Sequence, residues 1–81
     1  ERQALAAMQA YLQALPAEVH PQAPQLARLR AVAAGCAWRL GEQGEARALA
    51  RLAGAALTSA AADEISPYYR APWLALPPAL R

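Results

Sequence analysis

The sequence predicts an all-α domain: a small three-to-four-helix bundle built around an αα-hairpin, with an extended Pro/aromatic C-terminal tail. Three observations predict it. Apolar residues recur at spacings of three and four in three separate stretches, the period of one face of a helix. Alanine fills 24 of the 81 positions, and alanine is the best helix former and is depleted from strands. No stretch alternates β-branched or aromatic residues as a half-buried strand does. A chain of this length forms one domain at most, here residues 1–81.

Helix one is expected over 2–15. Leu5, Met8, Leu12 and Leu15 form one stripe, widened by Ala4 and Tyr11, and Pro16 ends it because the residue before a proline avoids helical geometry. A connector follows, broken by Pro16, Pro21 and Pro24, with Pro24 suited to the first turn of the next helix. It is long enough for helix one to dock at an angle.

Residues 24–40 and 45–61 form the hairpin. The stripe of helix two is Leu26, Leu29, Ala33, Cys36 and Leu40, flanked by Val32 and Ala37; its opposite face holds Ala31, Gly35 and Trp38 beside Arg28 and Arg39. Small residues next to Trp38 leave room for another element to approach that back face. Gly41 and Gly44 bracket the turn, where a glycine past a helix end supplies the left-handed cap. Glu42 and Glu45 lie at the positive end of the next helix dipole. Helix three carries the stripe Ala46, Leu49, Leu52, Ala53, Ala56, Leu57 and Ala60, with Arg47, Arg51 and Thr58 toward solvent.

Residues 63–81 change character. Ser66-Pro67 reads as an N-cap followed by a first-turn proline, opening a short helical turn through Tyr68, Tyr69 and Arg70 that Pro72 ends. Pro77-Pro78 then favours an extended chain. The cluster Tyr68, Tyr69 and Trp73 packs either on the bundle or on another molecule.

The core is weaker than a 57% apolar composition implies, because so much of it is alanine. The larger apolar side chains are 12 Leu, two Val, one Ile, one Met, two Trp and three Tyr, with no Phe. A fully buried leucine-sized side chain contributes roughly 1.5–3 kcal/mol, set against the entropy of ordering the chain. The margin is thin, and stabilisation by a partner chain is expected.

Residues with chemical potential are few and scattered. Cys36 falls within an apolar stripe and reads as a small buried hydrophobe; as the sole cysteine it excludes an internal disulfide and points to a reducing, cytoplasmic setting. His20 is the sole histidine, in a loop with no second candidate ligand, so neither metal binding nor general-base chemistry is expected. Asp63 and Glu64 read as a helix boundary rather than a carboxylate pair. Gly41 and Gly44 lack the strand and the Lys-Ser/Thr of a phosphate loop. No apolar run reaches the roughly 20 residues of a membrane span, and no signal-peptide pattern is visible. No catalytic, cofactor or metal site is therefore expected, and no enzyme activity. The formal charge of +2, carried by eight arginines and no lysine, is too small and dispersed to favour nucleic acid. The alternative keeps Arg47 and Arg51, one turn apart, as the reading face of a helix-turn-helix; another treats the chain as a fragment of a larger enzyme.

The hairpin over Leu26 to Leu57 resembles a single tetratricopeptide-type repeat. The matching residues are the turn glycine Gly41, Ala46 five positions on and Ala53 seven beyond that. It departs from the family at Ala33-Ala34, in place of a Leu-Gly pair, and at Thr58-Ser59, in place of the closing proline region. The resemblance implies close helix packing at the small residues. It also implies that helix one and the tail cap the repeat, or that a partner completes the stack, because one repeat cannot bury its own faces. Small tetratricopeptide-like chaperones of bacterial secretion systems share this design. The expected function is non-catalytic protein binding, as an adaptor, chaperone or subunit of a homo- or hetero-oligomer, with Trp38, Gly35, Ala31, Tyr68, Tyr69 and Trp73 as the partner-binding residues.

Overall fold

The computed structural model describes residues 1–20, 23–58 and 65–81. Four α-helices follow in order: α1 (Arg2–Gln13), α2 (Pro24–Arg39), α3 (Gln43–Leu57) and α4 (Pro67–Leu74), closed by a 3-10 turn at Pro78–Leu80. There is no strand among the described residues. The protein is all-α, and its Cα envelope of 32 × 31 × 19 Å is a slab about two helices thick.

The centre of the slab is α2. It packs most extensively on α3, and also touches α1 and α4. Its sequence permits this because alanine occupies nearly every contact position: Ala27, Ala31, Ala33, Ala34 and Ala37 are all buried. The buried residues run around the helix rather than along one stripe. Leu29 and Leu40, expected in the seam, are only half-buried.

The turn between α2 and α3 forms as the glycine pattern predicts. Gly41 has φ +82°. Its N–H donates to the Trp38 carbonyl, and the Glu42 N–H donates to the Ala37 carbonyl. Those two bonds make a Schellman cap. Gly44 does not bracket the turn; α3 starts at Gln43 and takes Gly44 into its first turn. From there α3 buries Ala46, Leu49, Ala50, Ala53, Ala56 and Leu57. Leu52, expected in that stripe, is 53% exposed. The helix is rotated so that Ala50 faces inward instead, and Leu52 falls just outside the buried arc.

α1 ends two residues before the expected boundary, since Leu15 must leave helical geometry ahead of Pro16. It buries Leu5 and lays Met8 and Leu12 against the core, while Ala4 and Tyr11 stay exposed. Its polar side ties it to the hairpin turn: Arg2 pairs with Glu42 at 2.9 Å, Arg39 with Glu1 at 2.8 Å, and the Gln9 amide donates to Glu45. The hydrogen-bonded Glu1 carboxylate raises the pKa of Arg39 above its ordinary value.

The C-terminal segment corrects the sequence reading most. Ser66 caps α4 through its hydroxyl, which accepts from the Tyr68 N–H, and Pro67 takes the first turn, as expected. Pro72 does not end the helix; α4 continues to Leu74. The rest is extended in part: Pro77 has φ −55° and ψ 145° before the 3-10 turn at Pro78–Leu80. The chain turns back so that Leu76 and Leu80 are buried in the main core. An interior proline costs about 3 kcal/mol, whereas burying two leucines contributes roughly 1.5–3 kcal/mol each. Burial outweighs the lost hydrogen bond. The expected end of helix three at Ala61, the stripe position Ala60 and the Asp63-Glu64 pair lie outside the described residues.

Candidate functional site: three grooves around the central helix

Of the predicted partner-binding residues, Ala31, Gly35 and Trp38 line one groove and Trp73 another, whereas Tyr68 and Tyr69 line none of the three grooves. Ala31, Gly35 and Trp38 do share one face. They line a groove of about 380 Å³ with Val32, Arg39, Pro72 and Leu76. The chain itself occupies most of the room beneath Trp38: Ala31 is buried, and a Cβ on Gly35 would lie 3.6 Å from Leu76. Trp38 is half-buried and packs against the core.

Of Tyr68, Tyr69 and Trp73, the last two pack on one buried cluster, and Tyr68 stays largely outside it. Tyr69 packs on Ala27, Ala56 and Leu57 at the open end of the hairpin. Tyr68 meets Tyr69 edge-on, with ring centroids 5.2 Å apart, and is 61% exposed. Its ring lies 4.3 Å from the Arg28 guanidinium carbon, in cation–π geometry. Trp73 packs on that same buried cluster and also against Gly54 of α3. A Cβ at Gly54 would meet three indole atoms at 3.1, 3.2 and 3.3 Å. The glycine within this alanine-rich helix is the seat of the indole.

The second groove lies between α1 and the first half of α2. Ala7, Met8, Tyr11, Gln25, Leu26, Arg28 and Leu29 line a trough of about 440 Å³. Tyr11 stands 58% exposed on one wall. Arg28 also lines the trough, and its guanidinium stacks on the exposed Tyr68 ring. Sequence reasoning missed this trough because Tyr11 read as widening the α1 stripe and Leu29 as a member of the α2 stripe. The available sign was Tyr11, an aromatic at the edge of the α1 stripe.

The third groove, about 460 Å³, runs along the outer face of α3 against the C-terminal turn. Arg47, Arg51 and Arg81 rim it, and Trp73 and Leu80 lie within. Arg47 and Arg51 face solvent, as their positions on α3 predict.

Nothing in these grooves assembles a nucleophile, base and orienting group. Cys36 is a buried free thiol, 3.5 Å from an Arg39 nitrogen. His20 is exposed in the connector. No group of three or more His, Cys, Asp or Glu side chains is placed to hold a metal ion among the described residues. No helix among them is long and apolar enough to cross a membrane. Comparison with protein-family models, curated proteins and solved structures gives no match.

Proposed function

We propose that this protein is a non-catalytic protein-binding module, a small adaptor, chaperone or assembly subunit, that receives an apolar segment of another chain in the trough between α1 and α2. The observation that carries the reading is the apolar lining of Met8, Leu26 and Leu29 beside Tyr11, more than half exposed, and Arg28, which stacks on the exposed Tyr68. Large aromatic side chains with an apolar body and a polar tip are what interface hot spots use. Tyr68, with Trp38 beside its own groove, remains from the residues singled out in the sequence; Ala31 and Gly35 contribute by letting the C-terminal segment close.

The tetratricopeptide-like design belongs to the same proposal. It is supported by Ala46 and Ala53, both fully buried where α3 meets α2, and by the left-handed Gly41 at the turn. Within it, α1 and α4 serve as the caps of a single repeat. A cytoplasmic setting is supported by Cys36, which packs as a free thiol.

The test is affinity enrichment from the source cells with the wild-type chain, Tyr11→Asp, Leu29→Asp and the control Leu52→Asp. The reading expects a protein enriched by wild type and by Leu52→Asp and lost with both trough variants. Enrichment indifferent to the trough variants, or no protein above background, would sink it.

A further inference from the structure

We propose that the groove between α3 and the C-terminal turn binds an acidic amphipathic segment of a partner protein, its carboxylates on Arg47, Arg51 and Arg81 and an apolar side chain on Trp73 and Leu80. The proposal extends protein binding to a second face and stands apart from the α1–α2 trough.

Charge carries it. Three arginines line the groove, and no Asp or Glu side chain does among the described residues. Three of the chain's acids bond elsewhere: Glu1 to Arg39, Glu42 to Arg2, and Glu45 to the Gln9 amide. Arg47, Arg51 and Arg81 form no ion pair among the described residues. Three like charges around one concavity repel one another, and an anionic occupant relieves that repulsion. Guanidinium groups bind carboxylates with two parallel hydrogen bonds.

The floor decides what kind of anion. Between the arginines lie Trp73 and Leu80, with Ala50 and Gly54 beneath. A small inorganic anion would leave that apolar surface uncovered, whereas a segment alternating acidic and apolar side chains covers both. From Arg47 to Thr58 the groove follows α3 for about 16 Å, room for several residues of a bound helix or strand. Duplex DNA fits less well. The major groove is about 12 Å wide and admits one helix, and here Ala79–Arg81 lie alongside the arginine face of α3.

The test uses the Trp38→Phe chain, leaving Trp73 as the sole tryptophan and an emission reporter inside the groove. The probe is a synthetic helical peptide of Glu and Leu, compared with its Gln-for-Glu analogue and with a short DNA duplex. The expected result is a saturable shift of Trp73 emission. The Glu peptide should bind roughly tenfold tighter than the Gln peptide, from several exposed charge pairs acting together, and salt should weaken it. Arg47→Glu combined with Arg51→Glu should remove that tenfold advantage, as should Arg81→Glu in large part if the double variant fails to fold. Equal binding of the two peptides, no saturable binding, or indifference to the arginine variants overturns the proposal, and tighter binding of the duplex reassigns the face to nucleic acid. Tyr11→Asp is expected to have no effect. Binding lost with Tyr11→Asp but kept in the arginine variants would place the peptide in the trough, overturning this proposal and supporting the other.

Discussion

Substituting Gly54 by alanine sets two effects of known size against each other. In an exposed helix interior, Gly→Ala stabilises by roughly 0.5–1 kcal/mol, because alanine loses less backbone freedom on folding. At Gly54 the new methyl would meet Trp73 Nε1, Cζ2 and Cε2 at 3.1, 3.2 and 3.3 Å. The three atoms belong to one rigid ring, so the indole as a whole, or α4 with it, must give by a few tenths of an ångström. Overpacking of this kind costs about 1–3 kcal/mol. The net expectation is destabilisation by about 0–2 kcal/mol, where propensity alone predicts a gain. The assay is urea unfolding followed by circular dichroism, with Gly44→Ala as the control. A Cβ on Gly44 meets nothing within 4 Å, so that variant should show the ordinary gain. The decisive comparison is the cycle with Trp73→Ala. Without the indole, Gly54→Ala should turn stabilising, giving a coupling of roughly 1–3 kcal/mol. If Gly54→Ala stabilises the wild-type chain as much as Gly44→Ala does, the indole does not sit on Gly54 and the packing of α4 on α3 is wrong.

Other perturbations have clear expected outcomes. Gly41→Ala places a side chain at φ +82° and should cost about 1–2 kcal/mol, read from the urea midpoint. Leu57→Ala removes a 2% exposed side chain between α2 and α4 and should cost about 2–5 kcal/mol; Leu52→Ala, at 53% exposure, should cost well under about 1 kcal/mol. Raising the salt concentration should leave the midpoint nearly unchanged, since the Arg2–Glu42 and Arg39–Glu1 pairs are exposed; a large fall would give those pairs a greater part in holding α1 than their exposure allows. Leu76→Ser should release the C-terminal segment and redden Trp73 emission, because Leu76 anchors the turn after α4 in the core.

The hairpin was legible because its cues are local. A cap needs only Gly41 after an apolar-periodic run, and a first turn needs only Pro24 or the pair Ser66-Pro67. What stayed hidden depends on which element covers which. Alanine is too small to mark a buried face by contrast, so α2 read as a helix with one buried stripe when its seven buried residues, Ala31 among them, spread well beyond it. Pro72 and the pair Pro77-Pro78 read as an extended tail because the rule for proline is local, whereas Leu76 and Leu80 reach a core that no local pattern reveals. Gly54 was the readable hint, a lone glycine in a helix of alanines. For the candidate sites, the residue types were found and their grouping was not. Tyr68 faces Arg28, whereas Tyr69 and Trp73 share the Ala27, Ala56 and Leu57 cluster, with Trp73 also against Gly54.

The fold and the binding proposal meet in the trough between α1 and α2, where burial of Leu5 and Leu26 positions α1 and leaves Tyr11 outside. The most direct test is site-specific photocrosslinking in the source cells, with the photoreactive side chain in place of Tyr11 and, as control, of exposed Ala48 on α3. Protein binding at the trough predicts a discrete protein adduct from the Tyr11 position, absent from the Ala48 position and lost when Leu29→Asp is added. An adduct pattern shared equally by both positions, or none at Tyr11, would contradict it.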